Sequence, residues 1–208
     1  MVRWLQFPVI GYVLYQLVTA MRSERNSYAW QVAGGVRVKH FVANLPAQLL
    51  TVLTAAVLVQ LPVFRWGWWT SIGGTGSIVL GQTGDGEWVS ELVAVAMLLV
   101  LAAAIPVLAY GEEDLFRRGT EHRSALERLR SAGLFGIIHA TMGIPLGVAV
   151  ALTVAGLWFT NRYSVAYHDA DMDRSASPRE AGVANAARYH MAWNWSMGAL
   201  VLVAVFAS

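Results

Sequence analysis

Long apolar runs alternate with short polar connectors along this chain. The first run covers residues 4–21, Trp4 to Met21, and at about 1.5 Å per helical residue it is long enough to cross a bilayer. Only Arg3 precedes it, and Arg22 and Arg25 follow with no small-residue cleavage site between, so it is expected to be an uncleaved span. A polar connector, 22–45, carries Arg22, Arg25, Arg37 and Lys39, and Gly34-Gly35 is expected to break any helix there. The second span is predicted from Pro46 to about Phe64. A glycine-rich connector, 65–91, holds Trp66, Trp68, Trp69 and Trp88, residue types that suit a bilayer–water interface. The third span is predicted from Leu92 through Pro106 to Glu112, and the last from about Ala186 to Phe206.

Between these lies an apolar stretch from Ala132 to Phe159 that fits either one long helix or two helices broken at Met142-Gly143-Ile144-Pro145. Charge placement separates the two options, because cytoplasmic loops collect Lys and Arg. With two helices, connectors 22–45, 111–131 and 161–188 share one side, which then holds 13 of the 15 basic residues. With one helix the split falls to 9 against 6. The predicted fold is therefore all-α: a single polytopic bundle of about six transmembrane helices, both termini outside and the basic connectors in the cytoplasm.

Composition agrees with a membrane assignment. Of 208 residues 56% are hydrophobic and 13% charged, about half the charged share of a typical soluble domain. A net charge of +2 gives no reason to expect nucleic acid. The absence of cysteine excludes disulfides, thiolate nucleophiles and Cys-based metal sites. Lys39 is the one lysine among the basic residues, the bias of a GC-rich genome, and a bacterial plasma membrane is the expected location.

Three polar clusters interrupt the apolar pattern: Glu112-Glu113-Asp114 with Arg117, Phe135 with His139, and His190 with Asn194. Adjacent acids at a membrane boundary lose hydration and are costly unless partnered. Each cluster is spaced i, i+4, which places its members on one helical face. Glu113 and Arg117 are expected to pair, leaving Glu112 free; Phe135 is expected to shield His139, and His190 and Asn194 to aim two donors at one point. Glu112 and His139 are nearly equidistant from a hairpin tip at Arg123 to Leu126, so an antiparallel hairpin brings them level.

In this order the clusters resemble the CPBP intramembrane protease family, the CAAX proteases and bacteriocin-processing enzymes. Its signature is Glu-Glu-x-x-x-Arg, then Phe-x-x-x-His, then His-x-x-x-Asn or Asp, on separate spans, and the resemblance covers roughly residues 92–206. Two departures stand out: Arg118 intervenes before Gly119, and the connector before His190 is longer and more polar than the family's. The resemblance implies a glutamate-dependent endopeptidase acting on a peptide or lipidated protein near the cytoplasmic face. Glu112 with His139 would activate water, His190 and Asn194 would stabilise the oxyanion, and Glu113, Arg117 and Phe135 would support them.

No cofactor is expected, although Glu112, His139 and His190 could hold zinc with one position open. A non-proteolytic reading also stands, as a complex subunit or immunity protein docking a membrane partner through 161–188. Gly74-Thr75-Gly76 lacks the lysine of a phosphate loop. Asp169, Asp171, Asp173 and Glu180 mimic calcium-loop spacing, but Arg174 occupies the glycine position and a solvated loop is expected.

Overall fold

The computed structural model describes residues 24–73, 88–173 and 177–207, with scattered helical positions between 8 and 19. Most of the predicted Trp4–Met21 span, Gly74-Thr75-Gly76 and Arg174 lie outside the described residues. The described residues are helical throughout, joined by short turns: α1 Glu24–Gly34, α2 Val38–Leu58, α3 Pro62–Arg65, α4 Trp68–Ser71, α5 Trp88–Arg117, α6 Ala125–Ile138, α7 Leu146–Met172 and α8 Pro178–Ala207. Two stretches, Val38–Leu58 and Val95–His122, are long and apolar enough to cross a membrane.

The apolar stretch breaks where the sequence predicts. Helix α6 ends in a tight 3-10 turn, His139–Met142, closed by Gly143 at φ 82°, a left-handed conformation that glycine adopts without strain. Pro145 then caps α7 in an extended conformation. The connector after α2 braces this corner: Trp68 Nε1 donates to the Ala140 carbonyl at 3.0 Å, and the Leu146 amide donates to the Trp66 carbonyl at 2.9 Å. Trp69 is fully buried there, in contact with Gly143, rather than at an interface as its type suggested.

Helices α6 and α7 pack so closely that glycine is required on both. A Cβ at Gly136 would lie 2.4 Å from the Ala149 carbonyl oxygen, and one at Gly156 would lie 3.0 Å from the Ala132 backbone. Small residues of this kind let helix backbones approach where apolar burial supplies no driving force.

Helix α2 is inverted relative to a soluble amphipathic helix. His40, Asn44, Gln48 and Thr51 are buried, whereas Val42, Leu45, Leu49, Leu53 and Val57 are exposed. In water that arrangement would leave apolar area wet and bury polar groups. The inward polar groups are nevertheless bonded. Asn44 donates to the Tyr189 carbonyl at 2.8 Å and accepts from Trp158 Nε1 at 2.8 Å. Gln48 bonds Ser196 Oγ at 2.5 Å.

Several predicted boundaries are corrected. Pro46 sits inside α2 rather than opening it, and most of connector 22–45 is helical on either side of a break at Gly35. Helix α5 begins before Leu92 and continues past Glu112 to Arg117. Connector 161–188 is mostly not a loop: α7 runs on to Met172 and α8 begins at Pro178, so Asp169 and Asp171 lie on a helix instead of a calcium-like loop. A spanning helix keeps its backbone bonds when it leaves an apolar region, so polarity marks the end of the apolar run and not of the helix.

Candidate functional site

Glu112, Glu113 and Asp114 occupy the last turns of α5, where the negative end of the helix dipole disfavours acids. Each carboxylate has a separate arrangement. Asp114 pairs with Arg118 one turn on. Arg118 also bonds Glu180 of α8 at 2.7 Å, and Tyr110 donates to the same carboxylate at 3.1 Å. The extra arginine and the polar start of α8, the two departures from the family pattern, thus form one clamp between α5 and α8.

Glu113 is fully buried and bridges two partners. Its Oε2 lies 3.3 Å from Arg117 Nε, itself fully buried, as the i, i+4 spacing predicts. Its Oε1 lies 2.9 Å from His190 Nδ1 on α8, a link between distant helices that no spacing along the chain marks. The Arg117 guanidinium sits over the Phe135 ring with 4.8 Å to the centroid, a cation–π contact that partly replaces lost hydration.

Glu112 faces the two histidines. Its Oε2 is 4.0 Å from His139 Nε2 on the turn after α6 and 3.8 Å from His190 Nε2 on α8. That oxygen is buried with no hydrogen-bond partner. The carboxylate as a whole remains 30% exposed, against 17% for His139 and 3% for His190, so the cluster opens on its Glu112 side.

Backbone and side-chain partners fix which ring nitrogen carries a proton. His139 Nδ1 lies 2.7 Å from the Phe135 carbonyl, which only accepts, so Nδ1–H donates. His190 Nδ1–H donates likewise to Glu113 Oε1. In the neutral rings both Nε2 atoms therefore present lone pairs toward Glu112. Donation from His190 Nε2 requires that ring to carry both protons.

Phe135 is the hub of the cluster. Its ring contacts His139 at 4.9 Å and His190 at 5.5 Å between centroids, which extends the shielding expected from its sequence position. Phe159 of α7 stacks on His190 at 4.5 Å and 20°. Phe159 lies in an unbroken apolar run, where no spacing or charge signal marks it. Asn194 is half-buried one turn beyond His190 on α8 and makes no side-chain hydrogen bond among the described residues.

Among the described residues no group of three or more His, Asp or Glu side chains is close enough to hold a metal ion. No family model, curated protein or solved structure matches the chain.

Proposed function

We propose that the protein is an intramembrane, glutamate-dependent endopeptidase of the bacterial plasma membrane, with about six spans and both termini outside. The observation that carries the reading is the meeting of Glu112 Oε2 with Nε2 of His139 and of His190, each ring locked by a bond at its other nitrogen. Separations of 3.8 and 4.0 Å exceed a direct hydrogen bond and suit groups that share one water. The Glu112 oxygen and the His139 lone pair accept at that point, which suits a guest with two hydrogens to donate, and water has two. The outward apolar face of α2 supports membrane placement.

In the proposed reaction His190 enters with both ring nitrogens protonated, and Glu112 removes one proton from that water while the His139 Nε2 lone pair accepts its other hydrogen. The hydroxide oxygen bonds to the scissile carbonyl carbon and the carbonyl π pair moves onto oxygen. Asn194 and doubly protonated His190 donate to the oxyanion. Collapse breaks the C–N bond as Glu112 returns its proton to the amine, leaving a carboxylate and an amine. Glu113 and Arg117 orient His190, and Phe135 and Phe159 limit water around it.

The test is Glu112→Ala and His139→Ala, each assayed in membranes against candidate peptides and a lipidated C-terminal peptide. Loss of cleavage in both is expected, and full activity in both overturns the reading. A chelator series with zinc re-addition separates water activation by glutamate alone from a zinc-assisted version. A reporter fused at Ser208 is expected outside the cell; a cytoplasmic signal removes the six-span topology.

A further inference from the structure

A second polar cluster lies away from Glu112, around the α1–α2 junction and the facing parts of α7 and α8. Arg37, Lys39 and Arg188 all lie close enough to His40 to act on it electrostatically. The Arg188 guanidinium is seated on Gly35, with Nε 2.6 Å from where a Cβ would be, and donates to the Val32 carbonyl at 3.3 Å. His40 meets the Tyr189 ring at 4.8 Å. On the other side, Arg162 lies over Trp158 at 4.0 Å and over Tyr189 at 5.3 Å. The Tyr189 ring thus joins His40 to Arg162, and four cations, Arg37, Lys39, Arg162 and Arg188, lie around this junction.

These cations lack counter-charges. Arg37 and Arg188 bond only backbone carbonyls, and none of the four has an acidic partner among the described residues. Arg162 Nε is buried without a hydrogen-bond partner. Elsewhere the described residues hold arginines of both kinds: Arg117, Arg118 and Arg179 sit beside carboxylates, whereas Arg65 and Arg128 bond backbone carbonyls. Several uncompensated cations gathered in one place, Arg162 and Arg188 half-buried and Arg37 and Lys39 exposed, repel one another and attract an anion. The guanidinium forks and the Lys39 ammonium match phosphate oxygens, and Arg162 engages Trp158 and Tyr189 through its flat face, which uses none of its N–H donors.

We propose that this cluster binds a phosphate-bearing anion, and that its source is the headgroup of an anionic phospholipid. Basic pockets between helices at the cytoplasmic face take such headgroups, and the predicted topology puts all four cations on that side. The choice of lipid rests on the membrane placement proposed above and is independent of proteolysis.

The test is thermal unfolding of the full chain in a neutral detergent with short-chain phosphatidylglycerol, phosphatidylcholine or inorganic phosphate. Phosphatidylglycerol is expected to raise Tm by roughly 5 °C at saturation, and phosphatidylcholine to do nothing. Arg162→Gln with Arg188→Gln should lose most of that shift. Arg37→Gln with Lys39→Gln, both at exposed positions, should lose a large part of it and decides the matter if the first pair does not fold. Arg123→Gln with Arg130→Gln, on the hairpin, should keep it. Equal shifts with phosphate and phosphatidylglycerol, both lost in the variants, would keep the anion site and make free phosphate its source. No shift with either anion, a shift unchanged in both cluster variants, or an equal effect of phosphatidylcholine overturns the site. Alkaline extraction of membranes checks placement separately: release of the chain removes the membrane reading without touching the phosphate result.

Discussion

Helices α2 and α5 supply the two span-length apolar stretches of the described chain, yet they treat their inward polar groups in opposite ways. On α2, Asn44 is bonded at both ends of its amide and Gln48 reaches Ser196. On α5, Glu112 Oε2 and all three guanidinium nitrogens of Arg117 are buried without a well-aligned hydrogen bond. Buried polar groups are almost always satisfied, and the exceptions need a reason. The satisfied set on α2 acts as interhelical glue. Of the unsatisfied groups on α5, Arg117 is sealed against Glu113 and Phe135, whereas Glu112 Oε2 stands apart from its neighbours on a side chain that is partly exposed.

The contrast is sharpest in its expected consequences for activity. Glu112→Gln keeps the side chain's shape and removes the base, so cleavage in membranes should fall about 10²–10⁴-fold while Tm changes little. A comparable loss of Tm would instead class Glu112 with the structural groups.

Arg117→Met tests the buried pair next to it. Removing one partner leaves Glu113 charged and dry, and stability should fall by about 3–5 kcal/mol. Adding Glu113→Leu should restore part of that, as Tm of the double variant would reveal, while His190, without its Nδ1 partner, should lose activity.

Asn44→Leu addresses the other helix. It leaves the Trp158 N–H without its acceptor and should cost about 1–3 kcal/mol, with activity per folded molecule unchanged. A drop in specific activity would show that α2 contributes more than glue.

The smallest effect belongs to neither helix and calibrates both. Ser124 caps α6 reciprocally with Glu127, its hydroxyl and amide holding the Glu127 carboxyl below its usual range. A depressed pKa stabilises the folded state above the unfolded value of about 4.3 and loses that contribution as pH falls through the lower folded value. Protection from hydrogen exchange in the first turn of α6, taken relative to the intrinsic exchange rate at each pH, should therefore fall as acid is added below about pH 4. Ser124→Ala should already exchange faster at neutral pH and show less pH dependence.

Much of the site was legible because its cues are local. Glycine and proline at 143 and 145 mark the corner, and spacing around the hairpin tip sets Glu112 level with His139. The i, i+4 rule pairs Glu113 with Arg117. What stayed hidden depends on rotation and on helices far apart in the chain. The bonds from Glu113 to His190 and from Asn44 to Trp158 join residues 77 and 114 positions apart. Hydropathy located apolar stretches but not helix ends, so the polar extensions of α7 and α8 read as a connector. Arg118 and the polar connector before His190 read as unrelated features until Glu180 stood beside Arg118.

The contact of Gly136 with Ala149 has an effect beyond packing. It acts as a stop for the sideways travel of α6, three residues before His139. The separation of His139 from Glu112 is therefore metered by a missing methyl group in the turn before it. Even alanine at 136 would act as a shim, forcing the α6 backbone off α7 and shifting the imidazole relative to the carboxylate while deleting no reactive group. Alignment in this molecule is a matter of tolerance, set where no chemistry occurs.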